Sequence, residues 1–164
     1  MHYLAQVNVA LMRGPLTHPD MRGFADALEP ITRLAEASPG FVWRLPGAHE
    51  HQPAIVHHSD TWVMVNVSAW TDYASLHQFT YRTAHGGYLR RRNAWFLPTP
   101  QPSTALWWVR PDARPSADEA MARLSHLRTH GPTPRAFSVR RRFDPDGRPA
   151  HRGPPPRSTR SPRL

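Results

Sequence analysis

The chain contains no cysteine, which excludes a disulfide framework, a thiolate zinc site, an iron–sulfur cluster and a cysteine nucleophile. Lysine is absent too, and all 21 basic residues are arginine. No stretch approaches the roughly 20 apolar residues that span a bilayer. The N-terminal MHYLAQVNVALMRG lacks the basic start, long apolar run and cleavage site of a secretory leader. A cytoplasmic protein with no membrane span is therefore expected. No GxGxxG follows a strand-like segment and no Walker sequence occurs, so nicotinamide and nucleotide chemistry lack a phosphate loop. A serine nucleophile would lack its GxSxG elbow.

What is present is 164 residues with a net charge of +9, enough for one domain with its own core. Arginine in place of lysine, with abundant proline and alanine, is the usage of a GC-rich genome. No recognition motif accompanies the charge, so nucleic acid is not expected as a partner. Five arginines lie beyond Phe143. The segment from Asp144 to Leu164 holds no large apolar residue before Leu164, so it is expected to be a disordered arginine- and proline-rich tail. The domain is then residues 1–143.

Apolar periodicity orders this domain. Tyr3 to Leu11 alternates, with Tyr3, Ala5, Val7, Val9 and Leu11 on one face and Leu4, Gln6, Asn8 and Ala10 on the other, as a strand does. Asp20 to Ala37 carries Phe24, Leu28, Ile31, Leu34 and Ala35 at helical spacing, with a kink expected at Pro30. Phe41 to Leu45 is a short strand. Pro46 to Asp60 reads as a polar loop with His49, His51, His57 and His58, in no strong zinc spacing. Thr61 to Trp70 is the clearest strand. Tyr73 to Phe96 reads as a helix with an interruption at Gly86–Gly87, and Thr104 to Val109 as a strand. Ser116 and Glu119 form a capping box for a helix that runs to His130–Gly131, and Phe137 to Phe143 is a candidate last strand.

This order, β-α-β-β-α-β with an extra C-terminal helix, predicts an α+β fold of the ferredoxin-like split βαβ type: a four-stranded antiparallel sheet with helices on one face. Val63, Val65 and Val67 are expected beneath the helices. Trp62, Met64, Asn66, Ser68 and Trp70 are then expected on an open face, with Gln6 and Asn8 beside them. An open apolar face needs a cover, and a homodimer is a common one. An apolar surface with a few placed polar groups also suits a small-molecule pocket. Asn8, Asn66, Trp43, Trp62 and Trp70 are its expected lining. On the long helix Tyr81, His85, Tyr88, Arg92 and Trp95 share one helical stripe. A histidine between phenols and guanidinium groups would serve as acid, base or haem ligand.

Several blocks taken together, LAQVNVALMRGPL from residue 4, ASPGFVWRL at 37–45, VNVSAW at 65–70, FTYRTAH at 79–85, LRRRNAWF at 89–96, LWWV at 106–109 and HLRTHGPTPRAF at 126–137, resemble a bacterial domain-of-unknown-function family, number 3291. The resemblance covers about residues 3–143. It implies a dimeric α+β barrel, a superfamily of cofactor-free monooxygenases, polyketide cyclases, isomerases and haem-binding relatives. Tyr81, Arg82 and His85 fall in the densest polar block. The expected function is a homodimeric, cofactor-free oxygenase, cyclase or isomerase for an apolar, aromatic or polyketide-like molecule. His85, Tyr81 and Arg82 would be its catalytic groups, and Asn66, Trp43, Trp62, Trp70, Tyr88, Arg92 and Asn8 its substrate contacts. The alternatives are a haem protein with His85 as axial ligand and a non-catalytic ligand-binding module.

Overall fold

The computed structural model describes residues 1–85 and 87–150, without the side chains of 84, 85 and 89. Two ten-residue strands, β1 (Tyr3–Met12) and β4 (Thr61–Trp70), form the antiparallel spine of the sheet. Their register runs from Leu4 opposite Trp70 to Met12 opposite Trp62. Two short strands lie along the far edge of β4: β2 (Phe41–Arg44) and β3 (Ala54–His58). Two more lie along the far edge of β1: β5 (Phe96–Leu97) and β6 (Thr104–Val109). The sheet thus has six antiparallel strands rather than the four expected, because each outer position is shared by two.

The added β3 comes from the segment expected to be a polar loop. Ser59 and Asp60 both adopt positive φ, 46° and 61°, so a two-residue turn whose twist suits a hairpin joins β3 to β4. His57 and His58 are therefore strand residues, and His57 stacks on Trp62 at 4.3 Å. Phe137 to Phe143 is not a strand. Phe137 makes a single bridge to Leu106 and anchors an irregular segment.

Helix α1 (Arg22–Glu36) runs through Pro30, which sits on its exposed side. Helix α2 (Tyr73–His85) starts where the Asp72 carboxylate accepts the Ser75 N–H at 2.8 Å. It ends at His85, beside the interruption expected at Gly86–Gly87. A 3₁₀ turn (Leu89–Arg91) and the short α3 (Arg92–Trp95) come next, with Gly87 at φ 83° between, and the chain then enters β5. Helix α4 (Ala117–His130) opens on the expected capping box, in which Glu119 N donates to Ser116 Oγ and Ser116 N to Glu119 Oε2.

The strand alternation is as read from the sequence, but the helices are distributed the other way round. The valine face (Val7, Val9, Val65, Val67) is covered by α4, through Ala120, Leu124 and Leu127. Spacings of four and three residues put those three on one helical stripe. Helices α1, α2 and α3 cover the opposite face, where Gln6, Asn8, Asn66 and Ser68 lie. Phe24, Leu28, Ala35, Leu76 and Trp95 pack there against Leu4, Met12 and Trp70. The result is a sheet with helices packed on both of its faces.

The domain also extends past the expected boundary at Phe143. Asp144 Oδ1 accepts the N–H groups of Asp146 and Arg148, Gly147 takes φ 80°, and Ala150 N donates to Arg142 O. Asp-Pro-Asp-Gly is a turn sequence with a side-chain acceptor at its head. Residues 151–164 of the expected tail lie outside the described residues. Among the described residues no helix is long and apolar enough to cross a membrane.

Candidate functional site

A cavity of about 680 Å³ separates α1, α2 and α3 from the sheet. Its floor is the polar-dotted face: Gln6 and Asn8 from β1, Met64 and Asn66 from β4, Thr104 and Leu106 from β6. Phe24, Leu28 and Ile31 of α1, Leu76 and Phe79 of α2, and Trp95 of α3 form apolar walls. Tyr73, His77, Tyr88, Arg44 and Arg92 add polar groups.

The floor is ordered by the sheet register. Asn8 stands opposite Asn66, and Gln6 opposite Ser68. Gln6 Nε2 donates to Ser68 Oγ at 2.9 Å, and Trp70 Nε1 donates to the same oxygen at 3.0 Å. Asn8 Nδ2 donates to Thr104 Oγ1 at 2.8 Å. Among the described residues nothing bonds to the Asn66 carboxamide. Asn66 is half-buried, so its unspent donor and acceptor are open to the cavity and available to a ligand.

The charge around the cavity is one-sided. No aspartate or glutamate lines it. Arg44 is held from outside by Glu36, Nε to Oε1 3.0 Å, and by the Glu50 carbonyl. Arg92 makes no ion pair among the described residues and is exposed, so it stands at the mouth.

Of the residues picked from sequence, Asn8, Asn66, Tyr88 and Arg92 meet in this cavity. Trp43, Trp62 and Trp70 do not line it. Trp70 is completely buried as core, stacked on Phe79 at 5.1 Å with Phe41 edge-on at 5.5 Å. Trp62 packs at the far end of the sheet beneath His57. Trp43 faces α4, under the guanidinium of Arg114, 5.3 Å from its ring centroid. The cause is a bulge: the register shifts between Phe41 and Trp43, so Trp43 pairs with Ala69 instead of Ser68. One extra residue turns the remainder of the strand to the other face. The same shift sets Arg44 opposite Ser68, beside the cavity.

Tyr81 is 59% exposed, and neither it nor Arg82 lines the cavity. The helical stripe expected to join Tyr81 to Tyr88, Arg92 and Trp95 is broken where α2 ends. His85 is the last residue of α2. Its side chain lies outside the described residues, and with it the haem ligation placed there. His77 and Arg44 join the site without having been expected there, and Gln6 joins it from the face where strand alternation put it. His77 could have been found one helical turn from Tyr73 and Thr80, which also line the cavity, whereas Arg44 depends on the bulge. The four histidines of residues 49–58 do not gather, and no group of three potential metal-ligating side chains forms among the described residues.

An antiparallel sheet between two helical layers, with an apolar-walled cavity on one side of it, defines a single-domain α+β protein built around a small-molecule-sized chamber. A family model, Domain of unknown function (DUF3291), matches residues 3–153, and the chain belongs to that family. No curated protein and no solved structure matches it.

Proposed function

We propose that the cavity binds a small, largely apolar aromatic or polyketide-like molecule and that the protein acts on it as a cofactor-free tailoring enzyme, an oxygenase, cyclase or isomerase. The observation that carries this reading is Asn66, a carboxamide with no protein partner among the described residues, on the floor of an apolar-walled cavity. Kinship with the dimeric α+β barrels is supported by the strand order: β1 and β2, which flank α1 in the chain, are separated in the sheet by β4, as in a split βαβ unit.

The chemistry such a site offers is proton transfer beside a carbonyl group. The Asn66 N–H is a donor for the oxygen on which negative charge develops. His77 and Tyr88 line the same space and would carry the proton. Cyclisation and isomerisation need no other group.

The test is a thermal-shift screen of wild type and Asn66→Leu against aromatic and polyketide-like compounds. A ligand stabilises the state that binds it, so compounds that raise the wild-type Tm should fail to raise that of a folded Asn66→Leu variant. Equal shifts in both proteins, or none in wild type, would overturn the proposal.

A further inference from the structure

Two polar rows cross the cavity floor. Thr104, Asn8 and Asn66 stand side by side on β6, β1 and β4. Gln6, Ser68 and Arg44 do so on β1, β4 and β2. In each row an amide nitrogen is already used, that of Asn8 on Thr104 and that of Gln6 on Ser68. The two amide oxygens accept nothing from the described residues, and neither is among the side-chain atoms sealed in the interior. Oxygens left open to the chamber can accept from a ligand's hydrogen-bond donor, and a ligand that covers them without supplying one leaves an acceptor unmet at a cost. At the other end the requirement is reversed. The lining holds no carboxylate, Arg44 is engaged by Glu36, and Arg92 at the mouth has no acidic partner among the described residues. A guanidinium so placed favours a carboxylate.

Resting on the cavity as the ligand site, we infer that its ligand is an aromatic acid with a hydroxyl or N–H donor at the end opposite its carboxylate. The donor is received by Asn8 Oδ1 at the floor, the ring lies against the apolar walls of α1 and α2, and Arg92 holds the carboxylate at the mouth. This polarity orders the site: the phenolic end goes in first and the acid remains at the solvent side.

Calorimetric titration with three related probes separates the parts. Para-coumarate has both groups, cinnamate lacks the hydroxyl, and para-vinylphenol lacks the carboxylate. Para-coumarate should bind wild type roughly tenfold more tightly than either, the equivalent of one good hydrogen bond or ion pair. Arg92→Gln should abolish the advantage over para-vinylphenol and leave para-vinylphenol binding unchanged. Asn8→Val should abolish the advantage over cinnamate and leave cinnamate unchanged. Should Asn8→Val fail to fold, the three probes on wild type and Arg92→Gln still decide. Equal affinities for all three probes, unaltered by Arg92→Gln, would overturn the ligand class while the cavity stands as a binding site. No binding of any probe to wild type would overturn both.

Discussion

Asn8 and Asn66 face each other across the central strand pair, yet only Asn8 has a partner in the protein: its amide nitrogen is held by Thr104, while the Asn66 carboxamide is bonded to nothing among the described residues. The asymmetry leaves Asn66 with its whole carboxamide for a ligand and Asn8 with its oxygen alone. Floors of this kind rest on the hydrogen bonds beneath them.

Ser68 is the first such support. Its hydroxyl oxygen receives both Gln6 Nε2 and Trp70 Nε1, and all three residues are buried. Ser68→Ala leaves two donors without an acceptor, at about 1–3 kcal/mol for each left unsatisfied. Urea unfolding should show the loss. Ser68→Thr, which keeps the oxygen, should recover most of it.

Helix α4 covers the valine face of the sheet. Leu124 is completely buried against the valine face. Leu124→Ala should cost roughly 2–5 kcal/mol. Light scattering coupled to size exclusion should find wild type monomeric, and a chain cut before Ser116 should self-associate through the uncovered face. A dimeric wild type would place the interface on another surface.

Gly40 sits at φ 81° where the chain turns from α1 into β2. A Cβ there would lie 2.4 Å from Ser75 Cβ and 2.6 Å from Thr71 Oγ1, while Gly40 O accepts the Thr71 N–H at 2.8 Å. Gly40→Ala combines backbone strain of about 1–3 kcal/mol with a clash at the start of α2. Its Tm should fall well below that of Gly87→Ala, where the added Cβ meets nothing within 4 Å.

His126 gives stability a pH dependence of known sign. Partial burial holds its pKa below the ordinary 6.5, and the nearby His130, Arg135 and Arg123 add repulsion. Its folded form therefore binds fewer protons than the unfolded chain. The stability present above the ordinary pKa is lost as pH falls from there through the lowered folded value. Between about pH 7.5 and about pH 5.5, a range that spans ordinary histidine titration, the Tm of His126→Gln should fall less than that of wild type.

The cofactor-free reading predicts that the purified protein absorbs only through tryptophan and tyrosine, and that haemin leaves no Soret band dependent on His85. A band that shifts or vanishes in His85→Ala would replace that reading with the haem alternative.

Much of the site was legible in the chain. Alternation along Tyr3–Leu11 and Thr61–Trp70 put Gln6, Asn8, Asn66 and Ser68 on one face, and the structure keeps them there. The tryptophans depart from expectation for local reasons that composition does not carry. A one-residue bulge turned Trp43 to the other face, and Trp70 was taken into the core by Phe79 and Phe41. The end of α2 after His85 took Tyr81 off the line along which Tyr88, Arg92 and Trp95 enter the cavity.

The sequence by itself determined which side chains share a face, where α4 begins, and that cysteine chemistry is excluded, because periodicity, capping and composition are properties of neighbouring residues. Only the tertiary structure decided which helices cover which face. Both faces are apolar enough to be buried, and the choice rests on how Ala120, Leu124 and Leu127 fit a valine surface more than fifty residues away, and on how Phe24, Leu28 and Trp95 fit the other. That choice turned the amide-bearing face from an open surface into the floor of a covered cavity.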